Sequence, residues 1–262
     1  MSVSDTDALA QPEAVALFVS DLHLQESMPR TTQAFFDFLD GQAMWASQLY
    51  LLGDLFEYWA GDDDLATPFN QQIVDAIRAV SDHGVTVFWM PGNRDFLAGA
   101  AFAKATGARF LPDPFVATIV GQRLVLAHGD AQCTDDTSYM AFRAQVRQQN
   151  WRDAFLALPL AQRKSIIDGM RKNSRAAQAD KPPEIMDVNA AAIESLFENT
   201  GASLMVHGHT HRPARHEYSQ GGSIRVRQVL PDWDCDVTPR RGGWLSIRAD
   251  GSIERVNLIE AG

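Results

Sequence analysis

The stretch Ala14-Val15-Ala16-Leu17-Phe18-Val19-Ser20-Asp21-Leu22-His23 sets the pattern on which the rest of the chain is built. An unbroken apolar run, too short for a stable helix, passes directly into Ser-Asp-Leu-His. Such a run reads as a strand buried on both faces. The figure recurs along the chain. Residues 48–52 run into Gly53-Asp54, and 85–90 into Gly92-Asn93-Arg94-Asp95. Residues 123–127 run into His128-Gly129-Asp130, and 203–206 into a cluster ending Gly208-His209-Thr210-His211. Between the early runs lie amphipathic stretches, 30–40 with Phe35, Phe36 and Leu39 at helical spacing, and 69–81. Alternation of strand and helix predicts layers, with sheet held between helices. Ligands gather at the carboxyl ends of strands in open sheets, so the five polar clusters are expected to converge.

The other β-rich runs complete the sheets. Residues 115–120 and 123–127 flank Gly121-Gln122, a two-residue hairpin signal. Residues 224–230, 244–248 and 253–258 are further strands, the last two turned at Asp250-Gly251. From 135 to 199 the pattern changes to helices, with Trp151, Phe155, Leu156, Leu158, Leu160, Ile166 and Ile167 as apolar faces. Pro159 and Pro182-Pro183 punctuate this stretch. The expected organisation is a core of 1–134 and 200–262 with a helical insertion at 135–199.

Composition narrows the class. The chain has 262 residues, 45% hydrophobic and 21% charged, values of an ordinary globular protein and not of a disordered or fibrous one. Two cysteines, Cys133 and Cys235, exclude a disulfide-stapled scaffold and point to a reducing compartment, the cytoplasm. No export signal is legible at the N-terminus. No uncharged apolar run approaches the roughly 20 residues a spanning helix needs, which leaves surface attachment to a membrane open. The net charge of −10 has the wrong sign for a non-specific nucleic-acid binder. It is unevenly spread: residues 140–181 carry nine bases and three acids, a net +6, so the remainder carries −16. A solvated helical face and a charged partner both account for that segment.

The polar clusters have the chemistry of a metal site. In extended backbone, residues i and i+2 point to one side, so Asp21 with His23, and His209 with His211, can each face a common ion. Imidazole and carboxylate suit Mn, Fe or Zn, and Asn93 adds a neutral oxygen. No cysteine belongs to the set, which disfavours structural zinc. The glycines before Asp54, Asn93 and His209 permit tight turns close to an ion or phosphate. His207, one step upstream of the last cluster, reads as a core residue. Each element alone is weak; their order and their placement at strand ends carry the inference.

The ordered series Asp21-x-His23, Gly53-Asp54, Gly92-Asn93-Arg94-Asp95, His128 and Gly208-His209-x-His211 resembles the calcineurin-like metallophosphoesterases over residues 15–211. The resemblance implies an α/β fold, a four-layer α/β/β/α sandwich with a helical cap insertion. It also implies two metals bridged by one carboxylate. On this likeness Asp21, His23, Asp54 and His211 would hold one metal, and Asp54, Asn93, His128 and His209 the other. One position departs: where the family has His after Asn, this chain has Arg94. Arginine does not give up its proton near neutral pH, but it binds phosphate oxygens bidentately. That favours a leaving group needing little protonation, such as a phosphate released from a pyrophosphate.

Longer strings narrow the likeness to one branch, the UDP-2,3-diacylglucosamine pyrophosphatases. They are Ser20–Leu24 (SDLHL), Leu52–Glu57 (LGDLFE), Cys133-Thr134-Asp135-Asp136, Met186-Asp187-Val188-Asn189 and the run His207–Pro213. This implies hydrolysis of UDP-2,3-diacylglucosamine to UMP and 2,3-diacylglucosamine 1-phosphate by a metal-activated water, with two Mn²⁺ per chain, in lipid A biosynthesis. It further implies a cytoplasmic protein working peripherally at the inner-membrane surface, with no nucleic acid and no obligate protein partner. Arg94 would be catalytic. Asn93, Arg94, Asp136, Ser174, Gln178, Lys181 and His209 would contact substrate. Trp151, Phe155, Leu156 and Ile167 would serve either as plain helix packing or as walls for acyl chains. Two rivals stand beside this reading: an esterase of soluble nucleotide diphosphates or cyclic nucleotides, and a non-enzymatic module on the same fold. The first predicts a short polar insertion, the second lost ligands.

Overall fold

The computed structural model describes residues 14–179, 183–220 and 223–258. Strands β1 (Ala14–Val19), β2 (Gln48–Leu52), β3 (Thr86–Met90) and β4 (Arg109–Phe110) are parallel neighbours. They alternate with helices α1 (Pro29–Asp40), α2 (Pro68–Asp82) and α3 (Ala100–Thr106). A second sheet holds β5 (Phe115–Ile119), β6 (Gln122–Leu126), β7 (Leu204–His207), β8 (Arg215–Gln220) and β9 (Ser223–Val229), in the order β5-β6-β7-β9-β8. Helices α4 (Thr137–Val146), α5 (Gln149–Leu156), α6 (Leu160–Ala179) and α7 (Ala190–Thr200) separate β6 from β7. The final strands, β10 (Gly243–Arg248) and β11 (Ile253–Asn257), return to the first sheet, where β10 runs antiparallel to β1.

Side-chain alternation explains the layers. In β1, Leu17 and Val19 join one core with Leu49, Leu51, Val87 and Trp89, under α1, α2 and α3. Ala16 and Phe18 face the other way, with Tyr50, Leu52 and Met90, and meet Leu124, Leu126, Leu204 and Val206 of the second sheet. Phe18, Tyr50 and Phe88 share a register and stack across three strands, with centroids 4.9 and 4.6 Å apart. Val125 and Met205 point outward from the second sheet onto Ile193 and Phe197 of α7. The order is therefore helices, sheet, sheet, helix, the four-layer arrangement expected from the sequence.

Two expectations are corrected. Residues 190–199 were assigned to the insertion, but α7 packs on β6 and β7 and forms the outer layer of the core; its Ile193 and Phe197 are the residues those strands need covered. The hairpin turn is Val120-Gly121, one residue earlier than Gly121-Gln122. Ile119 pairs with Gln122, and both turn residues have positive φ, 48° and 75°, the type I′ geometry that matches strand twist.

Helices α4, α5 and α6 sit over the carboxyl ends of the strands, held there by charge. Arg143 Nε donates to Asp130 Oδ2 at 2.8 Å, and Arg147 donates to the Gly92 carbonyl at 2.9 Å. Arg163 pairs with Asp63 and the Ala60 carbonyl, Lys164 Nζ lies 2.6 Å from Asp64, and Arg171 pairs with Glu57. Five of the nine bases counted in 140–181 thus face acids or carbonyls of the core. The charge asymmetry of the sequence is in large part an internal complementarity.

Candidate active site

Because β1, β2 and β3 are parallel, as are β6 and β7, the loops that follow them open at one edge. Asp21, His23, Asp54, Asn93, His128, His209 and His211 all come together there. Asp54 lies between two groups. Its Oδ2 is 3.9 Å from His23 Nε2, and its Oδ1 is 3.6 Å from His128 Nε2. On the first side, His23 Nε2 and His211 Nε2 are 3.2 Å apart, and His211 Nε2 is 3.5 Å from Asp21 Oδ1. On the second, Asn93 Oδ1 is 2.9 Å from both His128 Nε2 and His209 Nδ1.

The backbone reaches this geometry by a different route from the one expected. Asp21, His23, Asp54, His209 and His211 have φ of 53°, 49°, 53°, 66° and 53°. The paired residues therefore sit in left-handed loop conformations, not in extended strand, and converge through the turn of the loop. Two of the glycines that precede ligands make room for the carboxylates of the cluster. A Cβ on Gly92 would overlap Asp54 Oδ1, and one on Gly208 would overlap Asp21 Oδ2.

The donor set fits divalent cations. His128 Nδ1 is 2.9 Å from the Leu52 carbonyl, which only accepts, so Nδ1 carries the proton. That leaves the Nε2 lone pair aimed at Asn93 Oδ1 and Asp54 Oδ1, three electron-rich atoms meeting at one point. Only a proton or a cation satisfies them. In the metal-free protein burial disfavours charge on His128, but Asp54, Asp21 and Asp130 outweigh it and raise its pKa to about 9. Asp21 Oδ1 is buried without a hydrogen-bond partner. Burial raises the Asp21 pKa, yet His211, His128 and His23 more than reverse this and hold its carboxyl well below the usual range. Two candidate cation clusters result among the described residues, Asp21-His23-His211 and Asp21-Asp54-His128.

Other residues brace the site; Asp95 and Glu57 stand inside the quoted motifs but had been given no role there, and Tyr139 stands outside them. Asp95 is fully buried and accepts from the Leu55 and Gly92 N–H groups, both at 2.8 Å, tying the Asp54 loop to the Asn93 loop. Burial, then the Asp54 charge, pushes its pKa up to about 6. Glu57 Oε2 lies 3.0 Å from His23 Nδ1. Tyr139 donates to Asp130 at 2.7 Å, with its ring centroid 6.1 Å from that of His209. His207 stays out of the cluster: Nδ1 bonds the Gly208 carbonyl, and Nε2 faces Arg227 at 3.1 Å. Burial and Arg227 lower its pKa to about 3, so it is neutral.

A cavity of about 670 Å³ opens from the cluster. Asn93, Arg94 and His209 line one end, and Phe142, Trp151, Phe155, Ile167 and Met170 line the wall formed by α4, α5 and α6. Arg94 donates its backbone N–H to Asp54 Oδ1 at 2.8 Å, while its side-chain Nε is buried without a partner. Asp136 lines the cavity and caps α4, accepting from Tyr139 N at 3.0 Å. Ser174 lines it too. Leu156 does not; it is an exposed residue. The Gln178 side chain and Lys181 lie outside the described residues.

The calcineurin-like phosphoesterase model matches residues 15–213. The chain belongs to the calcineurin-like phosphoesterase family. Among curated proteins, this phosphoesterase is 50% identical to the UDP-2,3-diacylglucosamine hydrolase of Aromatoleum aromaticum, over 85% of this chain and 90% of that one. It is 45% identical to the protein of the same name from Bordetella parapertussis, over 92% and 94%. The Xanthomonas campestris pv. campestris protein of that name is 44% identical, over 92% and 99%. Members of this phosphoesterase family act with divalent metals, in keeping with the donor set above.

Proposed function

We propose that this phosphoesterase hydrolyses the pyrophosphate bond of UDP-2,3-diacylglucosamine, giving UMP and 2,3-diacylglucosamine 1-phosphate, a step of lipid A biosynthesis. The observation that carries the proposal is the single cavity with two unlike ends. One end is ringed by cation ligands and Arg94, the other walled by aromatic and aliphatic side chains of α4–α6. A pyrophosphate bearing a diacyl sugar needs both. The names of the similar proteins support the same substrate.

Asp21, His23, Asp54 and His211 would hold one Mn²⁺, and Asp54, Asn93, His128 and His209 a second. When bound, such ions supply a nucleophilic water at neutral pH and neutralise phosphate charge. The chain's own groups do the rest. Arg94 lines the cavity with its Nε buried and unpartnered, and its guanidinium would bind the phosphates there. Asp136 and Ser174 line the cavity where the sugar or its phosphate would pass, and Gln178 and Lys181 are proposed as substrate contacts on the family likeness alone. The wall of Phe142, Trp151, Phe155, Ile167 and Met170 excludes water and receives acyl chains. Trp151 and Phe155 also pack on the core, their rings 4.8 Å apart and nearly parallel, so packing and binding are two faces of one pair. A soluble nucleotide substrate would leave this wall without a ligand.

The protein is proposed to work at the cytoplasmic face of the inner membrane. Among the described residues no helix is long and apolar enough to cross a membrane. Phe142, Leu156 and Met170 expose apolar surface on the same helices that line the cavity, a place for contact with a lipid surface. Mass spectrometry of the products formed from UDP-2,3-diacylglucosamine with Mn²⁺ in H₂¹⁸O tests the reaction. The expected result is UMP and 2,3-diacylglucosamine 1-phosphate carrying one ¹⁸O between them. Substrate recovered intact while a soluble nucleotide diphosphate is cleaved would overturn the proposal.

A further inference from the structure

Glu57 joins two parts of the molecule that the reaction would otherwise use separately. One carboxylate oxygen lies 3.0 Å from His23 Nδ1, an ion-pair contact that is not aligned as a hydrogen bond, on the ring edge opposite the one that faces Asp21, Asp54 and His211. The other pairs with Arg171 of α6. Neither partner is free to drift. The Glu57 N–H donates to the Leu24 carbonyl at 3.2 Å, which fixes the carboxylate's base to the loop carrying His23. The Arg171 guanidinium lies 5.7 Å from the centre of the Tyr58 ring. Both side chains are largely buried, so solvent does little to screen them. Carboxylate behind a ligand imidazole fixes the ring and raises its basicity, and losing such a group typically weakens metal binding by about 10–100-fold.

We propose that Glu57 is a positioning residue for His23 and that Arg171 holds it in place, so that the docked position of α6 and the affinity of the His23 side for its cation are coupled. The inference rests on the metal-site reading above. Coupling of this kind is reciprocal: α6 in place favours the ion, and the ion favours α6 in place. Arg171 also lines the cavity, and a role confined to substrate contact would leave metal binding in substrate-free protein untouched.

The test is Mn²⁺ binding to the substrate-free protein, read as the loss of the free-ion electron paramagnetic resonance signal. The variants are Glu57→Gln, Arg171→Met, both together, and Asp54→Ala as a control. Wild type is expected to bind Mn²⁺, and Asp54→Ala to bind far less. If wild type itself binds none, the metal-site reading fails. Glu57→Gln is expected to weaken one site by about 10–100-fold, Arg171→Met by a smaller factor, and the double variant no more than Glu57→Gln alone, since the two act in series. Arg171→Met lies outside the ligand cluster and keeps the length and apolar stem of the side chain, so it is expected to fold even if Glu57→Gln does not. Wild-type affinity in Arg171→Met would overturn the inference while leaving the metal site standing. So would an equal loss from Arg171→Met with and without Glu57→Gln.

Discussion

Of the six described non-glycine residues with positive φ, five are candidate cation ligands. A left-handed conformation costs an L-residue roughly 1–2 kcal/mol, so the cluster holds several kcal/mol of backbone strain that nothing in the sequence pattern announces. The types and order of the ligands were legible because five such clusters in series at strand ends have no common structural use, although each alone could be an ordinary turn. Their conformation was not, because the i, i+2 rule assumes extended backbone and these loops turn within it. Arg94 shows how much one side chain can be isolated from this frame. Its backbone N–H braces Asp54 whatever the side chain, so Arg94→Lys changes only what faces the cavity. Lysine keeps the charge and loses the planar fork. We expect kcat/KM to fall by about 10²-fold or more, the scale of losing one aligned charge-stabilising donor, with Mn²⁺ affinity unchanged. Steady-state kinetics on the lipid substrate check it. A value within about twofold of wild type, far short of that scale, would assign Arg94 to structure.

At the scale of elements, strands with unbroken apolar runs were legible to within a residue or two, since runs of about five apolar residues closed by Gly, Asp or Asn are too short for a buried helix. The elements that were missed lack that signal. Strand β8 reads RHEYSQ and pairs only with β9 at the sheet edge, so it has little need of apolar residues. Helix α3 is seven residues of mostly small side chains, and β4 is two residues long. Helix α7 was seen but placed wrongly, because periodicity reveals an apolar face and not what covers it. The hairpin between β5 and β6 carries a prediction of its own. Val120 is a β-branched residue at φ 48°, followed by Gly121, and it is 40% exposed. Asn tolerates that conformation and Asn-Gly is the favoured pair for this turn. Val120→Asn is expected to stabilise the protein by about 1 kcal/mol, or roughly 2–4 °C in Tm for a chain of this size. Thermal unfolding followed by circular dichroism measures it; a lowered Tm would mean the Val120 side chain packs usefully.

For the molecule as a whole, the electrostatics and the cavity lead to different conclusions about the lipid. A strongly acidic core carries a basic helical segment, and five bases of that segment are engaged with the core. The charge therefore seats the helices over the site first, and less of it remains for phosphate or anionic lipid than a count along the sequence suggests. The apolar wall serves both uses at once: Trp151, Phe155 and Ile167 pack on the core, and with Phe142 and Met170 they also line the cavity. Each methylene buried there contributes about 0.8 kcal/mol, so even four of them amount to roughly 3 kcal/mol, on the order of 10² in kcat/KM. UDP-glucosamine lacking both acyl chains should therefore be turned over at least about 10²-fold less efficiently than the diacyl compound, most of the loss appearing in KM if the chains bind alike in ground and transition states. The comparison is made with both compounds below their micelle-forming concentrations, so that surface adsorption does not mimic binding. Equal kcat/KM for the two would mean that α4–α6 are a packed subdomain held by its ion pairs, and that the substrate's lipid portion is left to the solvent or the membrane.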